Sequence, residues 1–469
     1  MIRPPSDDLV NQLKAVVGPA GWTADPEILA PRLVEWRDRW SGATPLMLSP
    51  ASTEETAAIV RLCAAAGAPL TVQGGNTGLV GGQIPQGEIL LSTRRMRSIR
   101  DVDPVDDVLV AEAGATLAEV QAAAEAFGRR FPLSLASEGT ATIGGVVSTN
   151  AGGVAVLRFG TARDLVLGLE AVLPNGEVWC GLRRLRKDNT GYDLKGLLSG
   201  AEGTLGIITA ASLKLFPRPA GKATAMVGVE SPGAALDLLA RARQAADAGL
   251  EAFELMARQG LDFALRNIPG QRDPLPGRPP WYVLIEIASP DPATAGRQME
   301  DLLDAAAREG VVLDAVIAAG EAQSAALWSL RENQSAAQKP EGATWKHDIS
   351  VPVSQVPRFI QEASDAMAAF APGCRISAFG HVGDGNIHFD VLRPEGGDDA
   401  VHLVRRAEGQ SRVHDIAIAL GGSVSAEHGL GVMKAEEARR QKAPAEVALL
   451  TTIRAALDPG RILNPRVLF

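Results

Sequence analysis

Apolar residues along the 469-residue chain recur with two periods. "STEETAAIVRLCAAAG" (residues 52–67) repeats them at helical spacing behind a capping box of Ser52 and Glu55 and stops at Gly67. "APLTVQ" (68–73) follows as a short buried strand. Beyond residue 221, helical stretches alternate with strands such as "WYVLIEIA" (281–288), and "TIRAALDPGRILNPRVLF" (452–469) reads as a helix stopped by Pro459 and Gly460 before an extended tail. Three stretches fit neither period. They are "GGNTGLVGG" (74–82), "SEGTATIGGVVSTNAGG" (137–153) and "SGAEGTLGIIT" (199–209), the last running into a strand. Glycine-rich segments cease after "KLFPRPAG" (214–221), whose prolines at 217 and 219 mark a domain boundary.

A chain of this length exceeds what one hydrophobic core normally supports, so at least two domains are expected. Hydrophobic residues make up 46% and aromatics only 4%, a composition that suits a globular enzyme mixing helices and strands. The net charge of −9 speaks against nucleic acid as a partner, because phosphate backbones call for clustered Lys and Arg. The one dense basic run, "RRLRK" (183–187), reads as a solvated loop. Three widely spaced cysteines suit reduced thiols and a cytoplasmic setting. Asp7 and Asp8 interrupt the apolar core that an export signal would need. No stretch approaches the ~20 apolar residues of a membrane span, which leaves peripheral contact with the inner membrane open.

Glycine lets backbone N–H groups approach an anion closely, and Ser, Thr and Asn add donors. Three such loops in one domain point to a nucleotide cofactor rather than to ordinary tight turns. Neither GxGxxG nor GxxxxGK[ST] occurs, so neither a Rossmann site nor a P-loop is indicated.

Two of the six histidines fall in "GHVGDGNIH" (380–388). A strand would put them on opposite faces, and the glycines oppose a helix. A hairpin with the four-residue turn "GDGN" (383–386) would set Val382 against Ile387 and His381 against His388, about 5 Å apart at Cβ, with Asp390 on the same face as His388. Glu427 and His428 in "SVSAEHGLG" (423–431), at the end of an expected strand, offer a further ligand. Two imidazoles and a carboxylate suit catalytic Zn2+ and also fit Mn2+ or Fe2+. His402 and His414, in a charged helical stretch, read as surface residues; His347 has no assigned role. Arg331 and Ser335, at i and i+4, would share a helix face. Arg37 and Arg39 in "VEWRDRWSG" receive none.

These segments, with "RKDNTGYDLKGLLSGAEGTLGIIT" (186–209), "LRENQS" (330–335), "SAEHGLG" (425–431) and "DPGRILNP" (458–465), resemble the FAD-linked dehydrogenases of D-2-hydroxy acids in the vanillyl-alcohol-oxidase-like superfamily. The match is best to the branch acting on D-2-hydroxyglutarate. The resemblance implies an α+β fold: a two-part FAD-binding domain of the PCMH type (1–219), a substrate and metal domain with an antiparallel sheet flanked by helices (220–422), and a C-terminal segment returning to the flavin (423–469).

It further implies that FAD is held by the first loop, Gly74, Gly75, Asn76, Thr77, Gly78, Gly81 and Gly82. Ser137, Gly139, Thr140, Gly144, Gly145, Asn150, Gly152 and Gly153 would serve from the second. Glu202, Ile207 and Ile208 would lie by the adenine, and Asn464 by the flavin. Some relatives tether flavin through a histidine of the first domain; here no histidine precedes His347, so binding should be non-covalent. His381, His388 and Glu427 would ligate the metal and His428 would be the base. Arg331 and Lys346 would bind the distal carboxylate, with Ser335, Asp390 and His428 also touching substrate. Asp390 stands where asparagine is usual, Ser335 for threonine and His347 for tyrosine.

The expected reaction is oxidation of D-2-hydroxyglutarate to 2-oxoglutarate by hydride transfer to flavin, with electrons passed to an acceptor such as electron-transfer flavoprotein or a quinone. D-lactate, D-malate and glycolate are alternative substrates, and a zinc hydrolase without flavin is the alternative from another class. A homodimer is the expected assembly.

Overall fold

The computed structural model describes residues 4–468. The chain divides into two compact units. One takes the N-terminal segment through Gly153, Phe159–Arg218 and the segment from Glu427 onward; the other takes Val154–Arg158 and Pro219–Ala426.

Among the described residues the first unit holds two larger sheets and a two-stranded one, Arg129–Arg130 with Phe216–Pro217. A four-stranded sheet runs Trp22–Thr23, Met47–Leu48, Ile89–Ser92, Leu70–Gln73, and its last three strands are parallel. Parallel strands are usually covered, and here the helices Asp7–Val17 and Thr53–Ala66 pack Leu9, Leu13, Ile59 and Cys63 against Leu70 and Ile89. Thr53–Ala66 forms as its sequence dictates, with Ser52 accepting from the Glu55 N–H and Gly67 in the left-handed conformation at φ 63°. The Glu55 carboxylate reaches the Ala51 N–H at 2.7 Å rather than that of Ser52. The second sheet is antiparallel, in the order Ile99–Asp103, Val108–Glu112, Ile207–Lys214, Val166–Val172, Val178–Gly181.

The second unit is built on an eight-stranded sheet. Seven strands follow the order Asp314–Ile317, Gly221–Val229, Trp281–Ser289, Leu250–Ala257, Arg375–Gly380, Asn386–Leu392, Thr344–Trp345, and Asp348–Ser350 also pairs with Asn386–Leu392. Every pairing is antiparallel. The two-residue period sends Val283, Ile285 and Ile287 to one face, beneath the helices Pro232–Ala246, Pro292–Arg308 and Val356–Phe370. Tyr282 and Leu284 face the other way, beneath Arg258–Asn267 and Glu321–Glu332. A sheet buried on both faces keeps strand ends, and side chains mounted there, in fixed positions. Among the described residues no helix is long and apolar enough to cross a membrane.

Candidate active site and cofactor cradle

The first glycine loop leaves the strand Leu70–Gln73 and is pulled tight against the second. A Cβ on Gly75 would lie 1.9 Å from the Thr140 carbonyl oxygen, and one on Gly74 2.2 Å from Thr142 Oγ1. The loop is braced from outside: Asn76, at φ 61°, donates to the Pro31 and Val34 carbonyls at 3.2 Å. Arg39 Nη2 donates to the Leu79 carbonyl at 3.0 Å, a bracing role that its sequence setting did not reveal.

Between the loops lies a cavity of about 310 Å³, within the range of cofactor sites. Gly74, Gly75, Asn76, Thr77, Gly78 and Gly82 line it, as do Ser137, Gly144, Gly145 and Gly152. Glu202, Ile207, Ile208, Asn464, Glu427 and His428 complete its wall. Five expected cofactor residues lie off the lining. Gly81 abuts Trp40 and Val432, and Thr140 Oγ1 donates to the Ser137 carbonyl. Asn150 accepts from the Arg163 N–H at 2.9 Å, Gly153 packs on Ser134, and Gly139 is open to space. They shape the loops. Thr93 and Thr142 line the cavity, and their buried hydroxyls have no hydrogen-bond partner. Narrow glycine backbone and waiting hydroxyls fit a pyrophosphate-bearing cofactor.

Glu202 and Asn464 brace the wall with their side chains. Glu202 accepts the Leu430 and Gly431 N–H groups, each at 2.8 Å. Burial pushes its carboxyl up to about 6 against the pull of those two donors. Asn464 accepts from the Val72 N–H at 2.8 Å and donates to the Glu202 carbonyl at 2.6 Å. In this wall His428 Nε2 lies 3.6 Å from Glu427 Oε1.

In the second unit the hairpin forms with a different register. Phe379, not His381, opposes His388. Gly380, at φ +155° and placed so that a Cβ would lie 2.4 Å from the Asn386 carbonyl oxygen, takes the chain out of the strand early. Residues 381–385 then close through N–H donation from Asp384 to His381 and from Gly385 to Val382. The imidazoles of His381 and His388 remain neighbours, with ring centroids 6.4 Å apart. Asp348 pairs with His388 across the strands and supplies a carboxylate that sequence reading missed.

His381 Nδ1 lies 2.6 Å from Glu254 Oε1, and Arg331 Nε donates to Glu254 Oε2 at 2.7 Å. Burial alone would raise the Glu254 carboxyl; His381 and Arg331 hold it down at about 2. Lys346 donates to Asp390 at 2.8 Å and also to Gln338.

Other expectations need correction. The helix carrying Arg331 ends at Glu332, and Ser335 sits on a separate short helix, Gln334–Ala337. Asn333 donates back to the Ser329 carbonyl at 2.8 Å, so no single helix face holds Arg331 and Ser335. No strand precedes Glu427; Ser423 makes one isolated bridge to Ser350, and Ala426 N–H reaches the Asp348 carbonyl at 3.3 Å. His402 and His414 are buried, 5% and 6% exposed. His402 stacks on Trp345 at 4.1 Å, while His414 meets His347 edge-on. His347 itself faces the Phe389 carbonyl through Nδ1.

Comparison with known proteins finds two family matches along the chain. Residues 44–181 match the FAD binding domain family, and residues 218–468 match the C-terminal domain of FAD linked oxidases. A mitochondrial D-2-hydroxyglutarate dehydrogenase of Arabidopsis thaliana is 36% identical over 97% of this chain and 80% of its own length. Its counterpart in Bos taurus is 37% identical over 98% and 83%, and a D-2-hydroxyglutarate dehydrogenase of Xanthomonas citri pv. viticola is 34% identical over 93% and 91%. The chain belongs to the FAD-linked D-2-hydroxy acid dehydrogenase family.

A member of this family is an FAD-dependent oxidoreductase, and the cavity between the glycine loops has the lining that such a cofactor calls for. Solved structures carry the same two-domain fold at low identity. Alkyldihydroxyacetonephosphate synthase superposes with a TM-score of 0.75 at 18% identity, over 99% of this chain and 86% of that one. p-Cresol methylhydroxylase gives 0.74 at 16%, over 98% and 96%. The architecture is thus the α+β PCMH type, with a two-part FAD domain and a substrate domain on an antiparallel sheet.

Proposed function

We propose that this dehydrogenase oxidises D-2-hydroxyglutarate to 2-oxoglutarate, using a divalent metal held by His381, His388 and Glu427. The observation that carries the reading is Arg331, a cation 8% exposed and tied through one carboxylate to the imidazole of His381. Its support is kinship over nearly the whole chain with proteins named for that activity. The donor set fits a cation: two imidazoles and a carboxylate are ligands for Zn2+ and serve Mn2+ or Fe2+ as well. Chain continuity favours Glu427 as a ligand, because Ala426 is bonded to Asp348, the strand partner of His388.

When bound, the flavin supplies an acceptor for a hydride from carbon. A divalent cation supplies a positive charge that lowers the pKa of a hydroxyl beside it. In this reading His428 takes the substrate hydroxyl proton on its imidazole, which lies 3.6 Å from the Glu427 carboxylate. Arg331 orients the distal carboxylate, and the glycine loops with Glu202 and Asn464 hold the cofactor wall. Lys346, Ser335 and Asp390 shape the pocket for the acid's tail.

A second reading, a smaller acid such as D-lactate, D-malate or glycolate, is favoured by one observation: Lys346 already has the Asp390 carboxylate as counter-ion. Anaerobic mixing with a panel of D-2-hydroxy acids separates the readings. Bleaching of the flavin by D-2-hydroxyglutarate at low concentration, lost in Arg331→Ala and after chelation, is expected. Bleaching by D-lactate alone would overturn the first reading in favour of the second. Bleaching by none of the acids, or bleaching unaffected by chelation, would reject the metal-dependent mechanism.

A further inference from the structure

An acidic residue stands in the middle of the apolar strand Leu250–Ala257, "LEAFELMA". Its neighbours Phe253 and Leu255 enter the hydrophobic core on one face of the sheet, while Glu254 projects to the other with a side chain 1% exposed. Leu255 pairs with Gly380, so the register, extended by one residue, sets Glu254 across from His381. A carboxylate taken out of water is costly unless each oxygen finds a partner. Here each does: Oε1 meets His381 Nδ1 at 2.6 Å, and Oε2 receives Arg331 Nε–H at 2.7 Å.

Both contacts have directional consequences. An ionised carboxylate only accepts, so His381 meets Glu254 through Nδ1, which fixes the direction in which its Nε2 points, the arrangement that orients metal-ligating histidines. Arg331 spends Nε on Glu254 and lies 5.1 Å from the centre of the Phe379 ring, which leaves both terminal nitrogens of the guanidinium for recognition. The ring of Phe379 is also 5.0 Å from that of His388. One buried carboxylate therefore stands behind two groups with different tasks.

We propose that Glu254 is a positioning residue that orients His381 for the metal and Arg331 for the substrate's acid tail, so that occupancy of the metal site and recognition of the tail are coupled through one side chain. This rests on the function proposed above, and it assigns Glu254 a role distinct from that of either group it holds. Loss of Glu254 should harm both tasks, whereas loss of Arg331 should harm only one.

The test is a Zn2+ titration of FAD-loaded protein against a chromophoric chelator, run beside steady-state kinetics on D-2-hydroxyglutarate. Glu254→Gln keeps the volume and removes the charge; Glu254→Asp keeps the charge and shortens the arm, and serves if a larger change prevents folding. Glu254→Gln should weaken Zn2+ binding by about 10- to 100-fold with full flavin content, and raise KM. Saturating Zn2+ should restore kcat but not KM. Glu254→Asp should recover part of the Zn2+ affinity. Arg331→Met should raise KM and leave Zn2+ affinity within about threefold. Zn2+ affinity and KM in Glu254→Gln both within twofold of wild type would overturn the proposal, and so would wild-type protein that binds no Zn2+. If Zn2+ binding depends on Glu254 but no D-2-hydroxy acid reduces the flavin, the positioning of His381 stands and the assigned reaction falls.

Discussion

Glu202 and Gly431 are 229 positions apart in the chain, and the carboxylate of the first accepts the backbone N–H of the second at 2.8 Å. The same carboxylate takes the Leu430 N–H with its other oxygen. A single side chain thereby fixes the loop that follows Glu427 and His428 against the wall of the cavity between the glycine loops.

That anchor carries a pH signature. Burial lifts the Glu202 carboxyl from 4.5 to about 6, so between those values the folded chain binds the proton more readily than the unfolded one. The contribution is fully present below about pH 4.5 and is lost as pH rises through 6, a change of about 2 kcal/mol. Urea midpoints of the flavin-free protein, compared with Glu202→Gln across this window, should show the slope in wild type and its absence in the variant. A wild-type curve no steeper than that of the variant would reject the shift.

Gly75→Ala should empty the cradle while leaving the two sheets folded. Its new methyl would meet the Thr140 carbonyl at 1.9 Å, and backbone cannot yield as a side-chain tip does. The ratio of flavin to protein absorbance in purified protein should fall at least tenfold, with far-ultraviolet circular dichroism unchanged.

Arg454, 4% exposed, donates to the carbonyls of Leu463, Asn464 and Val467. Arg454→Met would strand those acceptors at about 1–3 kcal/mol for each one left buried. Because the tail also brings Asn464 to Val72, FAD affinity should weaken alongside thermal stability. Fluorescence of released flavin during a melt reads both quantities at once.

Asp390→Asn should free Lys346 from its carboxylate partner, now 2.8 Å away. Selectivity, taken as the ratio of kcat/KM for D-2-hydroxyglutarate to that for D-lactate, should rise about tenfold, equivalent to about 1.4 kcal/mol. An unchanged ratio would mean that Lys346 does not meet the second carboxylate.

Much of this architecture was legible from local signals. Ser52 and Gly67 bracket the helix Thr53–Ala66, and the glycine loops that stood out in the sequence do come together around one cavity. The hairpin register was not legible, because pattern counting assumes that both strands run up to the turn, whereas Gly380 leaves early in a conformation open to glycine. Arg331 and Ser335 were separated by Asn333, whose side chain closes one helix before the next begins. His402 lies among charged residues in sequence, yet packs flat on Trp345. Glu254 did leave a trace: a carboxylate inside "LEAFELMA" needs a partner from elsewhere, and sequence alone did not say which.

The strand Leu70–Gln73 also has an appointment with the far end of the chain. Leu70 donates to the Ile462 carbonyl at 2.7 Å and accepts from the Asn464 N–H at 2.8 Å, while Val72 waits for an acceptor 392 residues downstream. During translation this edge must stay bare until residues 462–464 have emerged, and unpaired strand edges invite association with other chains. Ribosome-bound nascent chains should therefore hold no flavin and lean on chaperones, and premature stop codons just before residue 458 should yield colourless aggregates.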